Sequence, residues 1–206
     1  GGFTATLFCE MRDISNDNPI DFFRGHFWDF LDAVGESKFL RDWQNGTANS
    51  LVSVRVDPIG VDGIILLGDA AHSILPFYGQ GLNAGFEDVE LFTDQLMNQL
   101  QISKSIAKYS ASRIPDAKAI DELARDNYGE MRGRVLHRFY QWKHLCFLKL
   151  NEYFPGTFIP RYSMISFTSI AYSNIRKREL IQNLVITIII MALFPIIFLL
   201  RIIWRD

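Results

Sequence analysis

The sequence of 206 residues predicts an α+β fold, with strands in its first third and helices in the rest. Three observations support this prediction. The apolar residues 64–67 precede a glycine-rich turn and a helical pattern, which is the order of a strand, a turn and a helix. Helical spacing of apolar residues then continues to about residue 153, and residues 184–200 form an apolar run without charge.

The first third combines extended and helical patterns. Apolar alternation predicts strands over residues 3–11 and 51–56, and the aromatic residues of 21–31 have helical spacing. Residues 57–63 are typical of a turn, and the fully apolar residues 64–67 predict a central strand. Because the sequence opens inside a predicted strand, we expect it to be the C-terminal part of a longer protein.

The remainder is predominantly helical in pattern. A helix over residues 84–100 is predicted to pack through one apolar face, which consists of Phe86, Val89, Phe92, Leu96 and Leu100. Glu87 and Asp88 suit the positive end of that helix better than a role in acid–base catalysis. Pro115 is expected to interrupt a helix or to begin a new one, and a long helix is predicted over residues 117–153.

Composition excludes some classes of function. A net charge of −2 leaves no basic surface of the kind that binds nucleic acid. Cys9 and Cys146 lie far apart, and neither they nor the four histidines have the spacing of a metal site. We therefore expect no metal, no nucleic-acid partner and two unpaired thiols.

The apolar run at the end of the sequence predicts a membrane helix over residues 180–204. Cationic residues precede the run at 176–178, and Trp204 is typical of an interfacial anchor. The larger positive cluster before the run favours a globular part on the cytoplasmic side. Whether the segment crosses the bilayer or enters one leaflet stays open at this point.

The glycine-rich turn after residues 64–67 predicts a contact with a nucleotide cofactor. Gly79, Gly81 and Gly85 lie within seven residues, so this backbone turns tightly or is approached closely. Backbone N–H groups at the start of the next helix suit an anionic or acceptor-rich ligand. Asp69 directly follows the predicted strand and could hold a sugar hydroxyl, or it could serve only as a helix cap.

Several segments resemble known proteins. Residues 65–88, with Gly68-Asp69-Ala70-Ala71-His72 and Gly79-Gln80-Gly81-Leu82-Asn83, resemble the second flavin-binding motif of class A flavoprotein monooxygenases. Residues 113–117, 127–132 and 158–164, together with the C-terminal apolar segment, closely resemble the kynurenine 3-monooxygenase family within that class. The resemblance extends from about residue 3 to residue 200.

The resemblance implies a defined chemistry. Members of the family bind FAD, use NADPH as co-substrate and O2 as oxidant, and hydroxylate L-kynurenine to 3-hydroxykynurenine in tryptophan catabolism toward NAD. The cofactor supplies the chemistry, so no side chain is expected to act as a nucleophile. The family also implies attachment to the mitochondrial outer membrane, with the globular part facing the cytosol.

By position in these motifs, the resemblance also implies site residues. The residues expected to contact FAD are Asp69 at the ribityl chain, with Pro76, Gly79, Gln80, Gly81, Leu82 and Asn83 around the isoalloxazine. Pro76 and Phe77 are expected to line the face where substrate meets flavin. Asn127 and Tyr162 are expected to bind the amino-acid end of L-kynurenine, with Met131 lining the pocket. His72 is expected to form a structural hydrogen bond.

The predicted domain organisation is a partial class A fold. Residues 1–60 would form part of the substrate-domain sheet with a connecting helix, and residues 61–102 the closing strand and helix of the FAD-binding domain. Residues 103–179 would form a C-terminal helical region before the membrane segment over 180–204. The sequence contains no N-terminal Rossmann βαβ unit with its GxGxxG turn, so the chain alone is expected to bind FAD weakly or not at all and to be inactive. The alternatives are another membrane-associated flavoprotein monooxygenase and a non-catalytic membrane-anchored remnant.

Overall fold

The computed structural model describes residues 4–10, 14, 18–61, 63–99 and 101–203. The chain divides into two compact units, Gly1–Ser50 and Leu51–Asp206, and each is described by itself.

The first unit is helical in its described part. Its helices are α1 (Pro19–His26), α2 (Trp28–Val34) and α3 (Glu36–Asn45). The helical pattern predicted over residues 21–31 is present as two helices, because the backbone leaves the helical conformation at Phe27 (φ −142°, ψ 47°). Asn18 caps α1, since its side chain accepts the Ile20 N–H at 3.2 Å.

Aromatic and aliphatic side chains form the core of this unit. Phe23, Leu31 and Phe39 are buried together, one from each helix. The strand predicted over residues 3–11 was wrong for the described residues 4–10, which contain no strand. Leu7 instead packs against the aromatic core.

The sheet of the second unit is a two-stranded hairpin. Strands β1 (Gly60–Val61) and β2 (Ile64–Ile65) are antiparallel, with Gly60 opposite Ile65. The central strand predicted over 64–67 was wrong: within the described residues β2 pairs with β1 alone, and Ile64 is 67% exposed. The α+β prediction therefore holds only in a coarse sense, because the described chain is mostly helical with this one small sheet.

Residues 51–56, predicted as a strand, contain none. They run instead beside the first short helix of the unit, where the Val54 N–H donates to the Ser73 carbonyl at 3.2 Å and the Val56 N–H donates to the Ala71 carbonyl at 3.0 Å. The extended pattern was real, but its hydrogen-bond partner is a helix terminus rather than a neighbouring strand.

Helices build the rest of the second unit. In chain order they are α4 (Asp69–His72), α5 (Gly81–Asn98), α6 (Ile102–Arg132), α7 (Arg138–Tyr153), α8 (Arg161–Phe167) and α9 (Tyr172–Ile203), with 3₁₀ turns at Pro76–Tyr78 and Arg134–Leu136. Helix α6 packs against α5 and α9, and the main core lies between these elements. Its buried residues include Ala84, Ile120, Leu123, Met164 and Ile175.

The long helix α6 breaks at a different place from the one predicted. It passes through Pro115 and ends at Arg132, before Gly133. A proline inside a helix costs about 3 kcal/mol, but the residues on both sides of it, including Arg113 and Ala117, are buried and anchor the helix. Gly133, which is a poor helix former, leads into the second 3₁₀ turn, so residues 117–153 are two helices.

Helix α5 buries a different face from the one predicted. It begins at Gly81 rather than near Ala84, and its fully buried residues are Ala84 and Asp88. Phe86 is 66% exposed and Val89 is also exposed, so the predicted apolar face was wrong at these positions. Leu100 lies outside the described residues.

Helix α9 covers most of the predicted membrane segment. Within the described part of the chain, no helix meets the length and apolarity needed to cross a membrane. Trp204 lies outside the described residues, and the membrane helix over 180–204 stays a prediction.

Candidate functional site

The glycine-rich turn brings two backbone segments into direct contact. Gly68, between β2 and α4, has φ 58° and ψ −140°, a conformation that favours glycine. A Cβ atom added to Gly85 would lie 3.7 Å from the Gly68 Cα, so α5 crosses the turn without an intervening side chain. The predicted tight turn is present here, and Gly79 also has a positive φ of 65°.

Asp69 lies beside the start of α5. Its side chain is exposed, and its Oδ1 would be 3.9 Å from a Cβ atom added to Gly81. The α4 N-cap is Gly68 rather than Asp69, so capping does not account for this carboxylate. Gln80, the α5 N-cap, makes no capping hydrogen bond through its side chain. A carboxylate that can accept from sugar hydroxyls therefore lies next to a helix start whose N–H groups can donate, and both features fit the ribityl and isoalloxazine parts of FAD.

The amide of Gln80 is directed into the protein. Gln80 is buried, its Oε1 accepts from Asn83 Nδ2 at 3.2 Å and from the Tyr172 hydroxyl at 3.4 Å, and its Nε2 donates to the Tyr78 carbonyl at 3.4 Å. The Gln80 side chain thus ties the turn to α9. Leu82 and Asn83 are exposed on the first turn of α5.

A buried carboxylate that sequence reasoning assigned to the helix dipole connects these elements. Asp88 is 0% exposed. Its Oδ2 accepts the Gly68 N–H at 2.7 Å and the His72 Nε2 at 2.6 Å, and its Oδ1 accepts Arg113 Nε at 2.6 Å. The predicted structural hydrogen bond of His72 is this contact.

Arg113 completes the buried cluster from α6. The Arg113 guanidinium also donates to Glu87 at 2.7 Å and to the Ala84 carbonyl at 2.9 Å. Burial alone would raise the pKa of Asp88, but hydrogen bonds from His72 and Gly68 and the charge of Arg113 outweigh it and hold that pKa below its ordinary value. Because the ionised carboxylate only accepts, the hydrogen on His72 resides on Nε2.

The residues expected at the substrate side meet the 3₁₀ turn Pro76–Tyr78. Asn127, on α6, donates from Nδ2 to the Phe77 carbonyl at 2.9 Å and lies 3.7 Å from the Met131 sulfur. The Phe77 ring stacks on Tyr128 with centroids 4.8 Å apart. Tyr162, on α8, has its ring centroid 6.1 Å from that of Tyr78. The structure therefore brings Asn127 and Tyr162 to one turn, whereas Met131 lies beside Asn127 with 60% of its surface exposed.

A second arginine cluster lies behind this turn. Arg161 pairs with Glu130 and, at 3.0 Å, with Glu179 of α9. The Tyr140 hydroxyl donates to Glu130 at 2.8 Å. Burial raises the pKa of Tyr78 to about 12, so its hydroxyl is neutral beside the arginine at pH 7. Neither Glu130 nor Arg161 was predicted as a site residue, although each adjoins one in sequence.

The cavity at this place is small. A cavity of about 140 Å³ is lined by residues that include Tyr78, Asn127, Glu130, Arg161 and Tyr162. Drug-sized ligand sites generally enclose roughly 300–1,000 Å³, so this cavity forms part of a site rather than a complete one. A larger cavity, of about 430 Å³, lies along α9 near Thr157 and Ile181 and contains none of the predicted site residues.

Comparison with known proteins identifies the family of this chain. The family described as "FAD binding domain" matches residues 4–124, more than half of the chain. The chain belongs to this family. Its match ends at α6, after the flavin-side turn, α5 and Arg113 but before Asn127.

Curated relatives of this FAD-binding chain extend the similarity further. It is 38% identical over 200 residues to a kynurenine 3-monooxygenase of Debaryomyces hansenii, which covers 92% of the chain and 42% of the relative. Kynurenine 3-monooxygenases of Sus scrofa and Caenorhabditis elegans are 36% and 32% identical, over 89% and 90% of the chain and 40% and 42% of the relatives. The predicted resemblance to this family is confirmed. The chain spans about two fifths of the length of these relatives.

Proposed function

We propose that this FAD-binding chain contributes the flavin contact and the substrate contact of a monooxygenase that hydroxylates L-kynurenine to 3-hydroxykynurenine, with NADPH and O2 as co-substrates. The observation that supports it most directly is the 2.9 Å hydrogen bond from Asn127 to the Phe77 carbonyl. It joins the flavin-motif turn to a segment that resembles the substrate-binding part of kynurenine 3-monooxygenases. The relatives named above carry that activity in their names.

The flavin side is built for binding and for charge stabilisation. When bound, FAD supplies the redox chemistry, taking electrons from NADPH and activating O2 so that one oxygen atom enters the aromatic ring and the other leaves as water. Asp69 would accept from ribityl hydroxyls, and the N–H groups at the start of α5 would stabilise negative charge on the isoalloxazine, as a helix N-terminus favours. Neither role asks a side chain to form a covalent bond.

The substrate side combines one polar anchor with an aromatic wall. Because Asn127 Nδ2 donates to the Phe77 carbonyl, its Oδ1 is left to accept from the ammonium group of the substrate. The stacked rings of Phe77 and Tyr128 form an apolar surface for the aromatic ring of the substrate and limit the access of water. Tyr162, which is exposed beside Tyr78, provides a hydroxyl for the amino-acid end.

Membrane attachment belongs to the same proposal. The uncharged run over residues 184–200, with three cationic residues at 176–178, supports a membrane anchor with the globular part facing the cytosol. The mitochondrial outer membrane is proposed from the family resemblance. Removal of residues 180–206 is expected to release the protein from sedimented membranes. Sedimentation of the shortened protein with membranes would contradict the anchor.

The experiment for the activity uses the complete gene product. We expect L-kynurenine to accelerate NADPH oxidation and 3-hydroxykynurenine to appear by mass spectrometry. Asn127→Ala is expected to raise KM for L-kynurenine about tenfold or more, as for loss of a hydrogen bond to a charged group, without lowering FAD content. The matched control is Asn98→Ala, since Asn98 also donates to a backbone carbonyl, that of Asp94 at 2.8 Å, but is exposed at the end of α5. If L-kynurenine gives no product while another aromatic compound does, the substrate assignment is wrong.

A further inference from the structure

We propose that Asp88 is a positioning residue for the flavin site, which fixes the peptide between Leu67 and Gly68 and the last residue of α4 so that the Asp69 carboxylate faces the ribityl chain. The inference rests on the proposed function for its ligand. It assigns a role to a residue that lies inside the protein and touches neither cofactor nor substrate.

The backbone conformation of Gly68 has to be fixed by a contact from elsewhere in the protein. With φ 58° and ψ −140°, Gly68 occupies a region that costs free energy for other residues and offers glycine many alternatives nearby. Its N–H group donates to Asp88 Oδ2 at 2.7 Å, a charge-assisted hydrogen bond that selects one orientation of the peptide. This peptide joins Leu67 to Gly68, so the hydrogen bond fixes where the chain enters α4, whose first residue is Asp69.

The short helix α4 is held at both ends by the same carboxylate. Asp88 Oδ2 accepts the Gly68 N–H before the helix and His72 Nε2 at its last residue, the latter at 2.6 Å. A helix of four residues has almost no stability of its own. Asp69, the first residue of this helix, therefore takes its position from the two anchors rather than from the helix.

The carboxylate itself cannot rotate freely. Arg113 donates to its Oδ1 at 2.6 Å, so both oxygens of Asp88 are engaged on opposite sides. The guanidinium is held in turn by the Ala84 carbonyl at 2.9 Å. Helix α6 thereby fixes Asp88, and Asp88 fixes the flavin-side turn.

The test measures FAD affinity of the complete gene product, by quenching of flavin fluorescence on titration of the apoprotein. Asp88→Asn keeps the size of the side chain but loses the charge, and its amide nitrogen cannot accept from Arg113. We expect the Kd for FAD to rise about tenfold or more. Measured well below the thermal midpoint of each apoprotein, this Kd is insensitive to a loss of global stability alone.

Asp121→Asn is the matched control. Asp121 is also a buried aspartate, 1% exposed, whose Oδ2 contacts Arg125 at 3.2 Å and Arg55 at 3.5 Å rather than the Gly68 turn. We expect this variant to lose stability while its Kd for FAD stays within about twofold of the wild type. An equal rise in Kd for both variants would show a general effect of burying an amide and would overturn the inference.

A second pair of variants applies even if Asp88→Asn does not fold. His72→Gln keeps an N–H donor that can reach Asp88, whereas His72→Leu removes it. The inference requires His72→Leu to weaken FAD binding severalfold and His72→Gln to restore most of it. Equal Kd values for these two variants, or a wild-type Kd for a folded Asp88→Asn variant, would refute the positioning role. A wild-type protein that binds FAD but leaves L-kynurenine unchanged overturns the proposed function and not the role of Asp88, and one that binds no FAD overturns both.

Discussion

Two arginines hold the two sides of the candidate site, and they do so in different surroundings. Arg113, on the flavin side, is 1% exposed and pairs with a carboxylate that is fully buried. Arg161, on the substrate side, keeps 13% of its side chain exposed and pairs with two glutamates that are also partly exposed. Both arginine side chains are buried enough for their ion pairs to contribute to stability, but only Arg113 is excluded from water.

This difference in exposure fits the two kinds of ligand in the proposed function, a bound flavin and a substrate that exchanges. The flavin-side cluster bonds to backbone groups, the Gly68 N–H and the Ala84 carbonyl, and so fixes main-chain geometry. The substrate-side cluster joins side chains of four helices, with Glu130 on α6, Tyr140 on α7, Arg161 on α8 and Glu179 on α9. A resident cofactor suits a rigid dry support, whereas a substrate that enters and leaves suits one that water can reach.

The largest effect is expected from Arg113→Met. Removing the guanidinium leaves Asp88 ionised and buried without its cation, so the free energy of unfolding should fall by about 3–5 kcal/mol. Urea denaturation of the apoprotein measures it. A loss below about 1 kcal/mol would mean that water enters the cluster and would remove the contrast with Arg161.

The same cluster should make stability depend on acid. The pKa of Asp88 is depressed in the folded protein, so its stabilising contribution is complete above the unfolded pKa of about 3.9 and is lost as the pH falls toward the folded pKa. The difference in unfolding free energy between wild type and Asp88→Asn is therefore expected to be full at pH 7 and to shrink below about pH 4. A difference that stays constant over this range would contradict a depressed pKa.

A smaller loss is expected from Arg161→Met. Since Glu130 and Glu179 can recover part of their hydration, the free energy of unfolding should fall by about 1.5–3 kcal/mol. KM for L-kynurenine should rise as well, because Glu130 lies one turn from Asn127 on α6. The exposed pair Lys149–Glu152 at 2.9 Å provides the control, and Lys149→Met should cost less than about 1 kcal/mol.

The smallest effects are expected at the glycine contact, and they have opposite signs. Gly68→Ala should lose about 1–3 kcal/mol, because its positive φ is unfavourable for alanine. Gly85→Ala, inside α5, should gain up to about 1 kcal/mol, because its new Cβ would meet Gly68 at an ordinary 3.7 Å. Thermal unfolding of the two apoproteins measures both. Destabilisation by Gly85→Ala would show that the contact is tighter than the backbone positions indicate.

What could be predicted from the sequence was local. The glycines of the turn, the helical patterns of α5 and α6, and the structural bond of His72 all follow from residue type and spacing. The buried face of α5 could not be predicted, because hydrophobicity favours Phe86 over Asp88 at an inward position. Partners distant in sequence, Gly68, His72 and Arg113, stabilise that inward carboxylate, and no spacing rule identifies such partners.

The predictions of strands were wrong for a related reason. Residues 64–67 have the composition of a central strand, but a strand is defined by its neighbours, and the described residues offer β2 only its hairpin partner. Ile64 and Phe86 are exposed, although the composition of their segments predicts that both side chains are buried. Sequence composition thus predicts which surfaces are apolar better than it predicts which elements pack against them.

Helix α6 contributes residues to both sides of the candidate site. Arg113 and Asn127 are 14 positions apart on α6, which runs through Pro115 from Ile102 to Arg132. At 1.5 Å per residue this separation is roughly 20 Å, so a tilt of about 3° pivoting at Arg113 would carry Asn127 sideways by about 1 Å. A displacement of about 1 Å at a reacting centre can slow a reaction on the order of 100-fold. In the proposed function, cofactor binding and substrate alignment would therefore be coupled through the tilt of α6.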